Sequence, residues 1–536
     1  MKLFKKRRKE EFQMKKRAGL FFLLTLITLF ITSLPVFADD KTPANEFRVG
    51  MEAGYAPFNW TQTNDKHDAV EIAGQKNAYA GGYDVEIAKR IADGLGKKLV
   101  IVPTSWDGLI PALQSGKLDA IIAGMSPTAE RAKQIDFTDP YYESHLVMVT
   151  QKNGKYANAK SIEDFKGAKI TAQLNTFHYT VIDQIPDVQK QQASKDFSSM
   201  RVALSSGIID GYVSERPEGV TASHVNKDFK MIEFADDKGF KTNPEDVQVA
   251  VGMRKGDSDV QKVNQILATI SAKERTKLMD AAIENQPSST DENEDTGLIA
   301  NFKQILSQYG TLFLKGAGMT LLIAIFSTFV GTIIGLLIGV FRTLPTSENP
   351  VARFFQKVLN AIITIYVEVF RGTPMMVQAM VIFYGLALAF HIDLNRVVAG
   401  LLIVSINTGA YMTEIVRGGI FAVDKGQFEA AQAIGMNHRQ TMIKVVLPQV
   451  LRNILPAIGN ETVINIKDTA VLSVISVPDL FFAGSTSAGT NYMFFQTFTI
   501  VAVIYLVMTL TSTSLLRLLE KKIDGPSAYV PMDEEK

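Results

Sequence analysis

Asp424-Lys425-Gly426-Gln427-Phe428-Glu429-Ala430-Ala431-Gln432-Ala433-Ile434-Gly435 lies between long hydrophobic runs, yet it is polar and amphipathic. A basic segment with His438, Arg439 and Lys444 follows, ending in Val445-Val446-Leu447-Pro448. A bilayer-embedded helix cannot carry this density of Glu, Gln, Lys and Arg without a large desolvation cost, so the stretch belongs in water or against protein. Ala430, Ala431 and Ile434 fall at i, i+1 and i+4 and make a small apolar face beside Glu429. Gly435 breaks the first helix, and Pro448 is expected to end a second. The chain is thus organised around a docking loop set between membrane spans.

Outward from this loop, five stretches are long and apolar enough to cross a bilayer, at about 319–341, 359–390, 397–421, 455–477 and 495–516. An external start and an odd number of spans place the far end inside. The basic residues agree: Arg342, Arg353 and Lys357 follow the first span, Lys425, Arg439, Lys444 and Arg452 lie in the loop, and Arg517, Lys521 and Lys522 follow the last. Glu368, Arg371, Gln378, Asn407 and Glu414 are polar positions inside this apolar half, where a side chain faces either a substrate path or a partner helix.

The first half reads differently. A basic leader with Lys5, Lys6, Arg7 and Arg8, an apolar run to Phe37 and a small exit residue, Ala38, make residues 1–38 a secretory signal, either cleaved or retained as an anchor. From 46 to 283, short apolar strands (47–51, 99–102, 119–124) alternate with amphipathic helices such as 84–95. A second series, at 169–173, 209–214 and 230–234, gives a second lobe over about 152–240, and 248–253 leads back to the first. Two α/β lobes joined by two crossings enclose a cleft, where ligands meet the carboxyl ends of strands. Residues 284–300 are acidic and nearly free of apolar side chains, a linker that tethers this domain to the helical half, 301–525, with its loop at 424–450.

Composition excludes several classes. The 56 Lys and Arg balance 55 Asp and Glu, so nothing marks a nucleic-acid partner. Without cysteine there are no disulfides or thiolate metal sites, and the six His are scattered without a metal-ligand or nucleophile pattern. No Gly-x4-Gly-Lys-Ser/Thr occurs, so the chain does not cradle ATP by that means and no cofactor is expected in it.

Glu429-Ala430-Ala431, the following Gly435 and the Leu447-Pro448 ending resemble the EAA loop of ABC importer permeases for polar amino acids. Gly316-Ala317-Gly318-Met319-Thr320-Leu321, Phe370-Arg371-Gly372-Thr373-Pro374 and Asn465-Ile466-Lys467-Asp468-Thr469-Ala470 look like the same permeases. The earlier half resembles periplasmic-type amino-acid-binding proteins, through Gly54-Tyr55-Ala56-Pro57-Phe58, Gly82-Tyr83-Asp84-Val85, Trp106-Asp107-Gly108-Leu109, Gly124-Met125-Ser126-Pro127-Thr128-Ala129-Glu130-Arg131 and Phe137-Thr138-Asp139-Pro140. The resemblance implies a two-lobe Venus-flytrap α/β domain followed by an all-α transmembrane permease in a cell membrane, with the binding domain outside. It implies a separate cytoplasmic ABC ATPase that holds ATP and Mg and seats on Glu429, Ala430, Ala431 and Gly435. It also implies a pair of permease subunits, since five spans do not complete a pathway. A ligand-gated channel or a transmembrane sensor built on the same clamp is the alternative, but neither gives the docking loop a purpose.

An amino-acid site needs a guanidinium and backbone donors for the α-carboxylate, which points to Arg131, with Ser126 and Pro127 read as N-cap and first helical residue. Gly124 lies in the same loop. By the resemblance, Glu215 receives the α-ammonium, Tyr55 and Trp106 pack on the ligand's side chain, and Gln173 and Thr176 come from the second lobe, where Asn175 stands in a usual glycine position. Asp210 is read as capping the strand entrance. The resemblance also implies that Glu52 meets the distal end of the ligand, where a carboxylate favours a cationic side chain, so basic amino acids are expected first, glutamine second, and acidic ones not at all.

Overall fold

The computed structural model describes residues 45–287 and 298–524, apart from 76, 236, 391, 393 and 492. The signal segment 1–38 and residues 288–297 of the linker lie outside the described residues.

Two five-stranded sheets form the lobes. In the first the order is Lys98–Pro103, Glu46–Met51, Ala120–Ile121, Gln248–Met253, Asp136–Glu143; in the second it is Gln189–Lys190, Lys169–Thr171, Gly211–Glu215, Leu146–Gln151, Phe229–Ile232. Gln248–Met253 runs antiparallel to both its neighbours, as a returning strand must. Leu146–Gln151 pairs with Gly211–Glu215 and Phe229–Ile232, so the second lobe starts at 146 rather than near 152. The first crossing is therefore Ser144-His145, and Ser144 N–H donates to the Val247 carbonyl of the return crossing at 2.9 Å, tying the two hinge segments together. The apolar face of Tyr83–Gly94, with Val85, Ile87, Ala88 and Ile91 all buried, covers the first sheet as its periodicity requires. Asp210 accepts from the Lys169 backbone at 2.8 Å, at the entrance to its strand.

The helical half begins with Leu298–Arg342, 45 residues, well upstream of the expected start at 319. Ile299–Arg342, Arg396–Phe421, His438–Ile475 and Phe494–Glu520 are long and apolar enough to cross a membrane. The expected span 359–390 is instead two helices, Pro350–Gly372 and Met375–Phe390, bent by 114°; five spans result only when this pair counts as one. The break has a local cause, because Thr373 precedes Pro374 and takes extended angles (φ −119°, ψ 146°), as pre-proline sterics demand.

The first long helix packs on Arg396–Phe421 through Gly331, Gly335 and Gly339, one turn apart. A Cβ on Gly335 would lie 2.4 Å from Met412 Cβ, and one on Gly331 2.7 Å from Thr408 Cβ. Small residues at this spacing let two backbones approach where no hydrophobic effect drives association. Gly335→Leu is expected to cost about 1–3 kcal/mol of overpacking and to lower the melting midpoint of the detergent-solubilised chain. An unchanged midpoint would mean that the two helices do not depend on this contact.

The two halves are in direct contact. Lys117 Nζ donates to Leu394 O (3.2 Å), Arg396 to Pro103 O (3.1 Å), and Ser105 Oγ to Val474 O (3.2 Å).

Candidate ligand-binding site and docking loop

Eight of the nine expected cleft residues, Tyr55, Trp106, Gly124, Ser126, Arg131, Gln173, Thr176 and Glu215, line one cavity between the lobes. The cavity holds only about 10 Å³, so the lobes must part to admit an amino acid. The closed cleft is latched from both sides. Arg131, of the first lobe, donates to the Ser126 carbonyl at 2.9 Å and across the cleft to the Asn175 carbonyl at 3.1 Å. Asn175 Nδ2 donates back to Asp107 Oδ1 at 2.8 Å. Asn175 adopts φ +58°, so it keeps the left-handed turn for which glycine is the usual residue.

Two expectations change in detail. Ser126 is not the helix cap; Thr128 caps the short helix Ala129–Ala132, its side chain accepting from the Arg131 backbone N–H, and Ser126 serves through its carbonyl. Tyr55 does not offer its ring as a platform, since Phe58 and, from the second lobe, Phe197 stack on it at 5.1 and 4.9 Å. Its hydroxyl instead donates to Glu215, joining the lobes. Trp106 lies under the Arg131 guanidinium, 5.0 Å from charge centre to ring.

Burial pulls Arg131 down to about 10, against the pull of Glu215, Asp246 and Glu130, and it remains charged at neutral pH. Burial pushes Glu215 up, but His178 and the Tyr55 hydroxyl outweigh it and hold the carboxyl below its ordinary value. One cation and one anion thus face a nearly dry cavity, the complement of a zwitterion. The backbone N–H of Gly124 donates to the Tyr141 hydroxyl, which donates to Asp84 at 2.7 Å, fixing the loop that carries Ser126.

Glu52 does not line the cavity. Its carboxyl pairs with the Gln173 side chain, and burial together with Asp196 and Asp107 raises it to about 8, opposed by Lys195 and Gln173. Burial, with two other carboxylates beside it, thus favours the protonated form of Glu52 until a cation meets it. Sequence reasoning missed Phe177 and His178, which also line the cavity. Their place next to Thr176 was the one available signal.

In the helical half, Gln378 Nε2 donates to the carbonyls of Phe370 and Thr373 at 3.0 and 2.9 Å, and Asn407 Nδ2 donates to Phe370 O and to Gln378 Oε1, both at 3.0 Å. These two amides satisfy backbone freed at the Thr373-Pro374 break. Glu414 accepts from Arg342 and Arg417, each at 2.6 Å, and the Arg371 guanidinium lies 5.5 Å over the Tyr411 ring. Glu368 and Arg371 are exposed.

In the docking loop, Asp424 caps Lys425–Ala433, and Gly435 ends it at φ +78°. Asn437 and Gln440 then form a reciprocal capping box that restarts the chain. Pro448 does not end the second helix. It follows a π-turn at Met442–Val446 and lies at the start of Leu447–Asp468, within the longer helical run His438–Ile475. Ala431 is buried and Phe428 packs against the helices above, while Glu429, Ala430 and Ile434, the last 74% exposed, face outward.

Residues 47–283 match the profile of bacterial extracellular solute-binding proteins, family 3, and 331–525 that of the binding-protein-dependent transport system inner membrane component. The chain is 37% identical over 213 residues to the glutamine transport system permease protein of Escherichia coli K12, covering 40% of this chain and 93% of that one. It is 32% identical over 210 residues to the arginine transport system permease protein of Bacillus subtilis 168, covering 39% and 91%. Among solved structures, the substrate-binding protein of an amino acid ABC transporter is 30% identical, covers 45% of this chain and 99% of its own, and has a TM-score of 0.37.

Proposed function

The chain belongs to the amino-acid ABC importers, as a family 3 solute-binding domain joined to a multi-pass permease, and from that premise we propose that it captures a basic amino acid outside the cell and passes it inward. The observation that carries the site is Arg131 and Glu215 on one cavity between two lobes: the first takes the α-carboxylate, the second the α-ammonium. Asp196 and Asp107 stand about Glu52 against Lys195, so a cationic side chain arriving at this distal corner favours the ionised form of Glu52, whereas an acidic one is repelled. Glutamine is the second reading, because Gln173 and a protonated Glu52 can pair with an amide. Both names occur among the relatives, whose permeases are called glutamine and arginine systems.

Transport is powered by a separate ATPase carrying ATP and Mg. It seats on the outward-facing Glu429, Ala430 and Ile434, and two copies of the permease complete the pathway. Ligand-stimulated ATP hydrolysis after co-reconstitution with such an ATPase tests this reading; hydrolysis indifferent to arginine, lysine, histidine and glutamine alike would refute it.

A pH profile separates the two substrates. With Glu52 raised to about 8, arginine must ionise it on binding, so arginine affinity is expected to climb with pH up to that value, by at most about tenfold per unit, and to release a proton. Glutamine affinity should not climb, and Glu52→Gln should flatten the arginine curve. Calorimetry in buffers of different ionisation enthalpy counts the proton; a flat arginine curve in the unaltered protein would show that Glu52 does not meet the ligand's cation.

A further inference from the structure

His178 is a polar side chain in the cleft to which the clamp described above assigns no contact with the ligand. It lies on Phe177–Val181, is 4% exposed, and shares the cavity with Arg131, Tyr55 and Glu215, the charged and titratable groups that line it. Its Nε2 stands 3.1 Å from Glu215 Oε1, an ion-pair distance, but the geometry is off the line of a directed hydrogen bond, and neither ring nitrogen makes one among the described residues. A buried imidazole in that condition is costly until a partner arrives.

The chemistry of an α-ammonium supplies one. It carries three N–H donors, while Glu215 offers two oxygens, one of them already accepting from the Tyr55 hydroxyl. A neutral imidazole that turns an N–H toward Glu215 keeps a bare acceptor at its other nitrogen, Nδ1. We propose that His178 is a substrate-contacting residue whose ring nitrogen accepts the third N–H of a primary α-ammonium, so that the cleft selects primary α-amino acids over N-alkylated ones. The small cavity acts in the same direction, since an N-methyl group would have to fit where the ring stands. This proposal rests on the assignment of Glu215 to the ammonium.

The test is calorimetry on the full chain in detergent, with arginine and glutamine and their Nα-methyl analogues as probes. The unaltered protein should prefer the primary amine by about tenfold or more. His178→Leu should weaken arginine or glutamine by a similar factor and erase the preference. His178→Asn, which keeps an acceptor close to where Nδ1 stands, should restore much of both, a recovery that a purely packing role would not give. Binding lost in Glu215→Gln but unchanged in His178→Leu, with the preference intact, would overturn this proposal alone. Binding that survives Glu215→Gln would overturn the ammonium assignment and this proposal with it.

Discussion

Arg131→Ala is expected to abolish measurable binding of every amino acid, raising Kd by a hundredfold or more, equivalent to about 3–5 kcal/mol. Two losses combine. The substrate carboxylate would be left desolvated in a closing cleft without its charged partner, and the lobes would lose the bond from Arg131 to the Asn175 carbonyl that latches closure. The Trp106 ring beneath the guanidinium would also be uncovered. Calorimetry on the full chain measures the effect with arginine and glutamine, and a melting curve shows whether the first lobe remains folded. Affinity within a few fold of the unaltered protein would move the carboxylate site away from this corner.

The second large effect is expected at the other end of the molecule. Gly435 holds φ +78° and has no atom near the position a Cβ would take, so substitution there is opposed by backbone conformation and not by crowding. Gly435→Val forces a β-branched residue into the left-handed region, at about 1–3 kcal/mol, and the lower-energy response is to re-angle Lys425–Ala433 against the capping box at Asn437. Glu429 and Ile434 would then present a displaced surface to the ATPase proposed to seat there. Uptake in proteoliposomes should fall by an order of magnitude or more while arginine or glutamine binding stays unaltered. Normal uptake would remove the loop from the coupling role, and lost binding would mean that the substitution acts through folding.

The sequence by itself determined what depends on local pattern. Alternation of short strands with amphipathic helices gave the two lobes; the polar stretch around Glu429 was legible because charged residues cannot be left in lipid; and Gly435 was legible because only glycine ends a helix cheaply at positive φ. Tyr55, Trp106, Gly124, Ser126 and Arg131 were identifiable because they sit in short ordered motifs, whereas Gln173, Thr176 and Glu215 were placed by the family resemblance. Tertiary structure decided everything that required distant segments to meet. Phe197 stacks on Tyr55 across the cleft, turning an expected ligand platform into a latch. Burial in the folded lobe, and then Asp196 and Asp107, remote in sequence from Glu52, raise its pKa. His178 became a candidate only once its helix buried it beside Glu215, and the amides of Gln378 and Asn407 found their purpose only when the break at Thr373-Pro374 exposed carbonyls for them to bind. Periodicity reports which face of an element is buried, whereas a site's electrostatics and its hydrogen-bond partners are properties of the space between elements, fixed when the chain closes on itself.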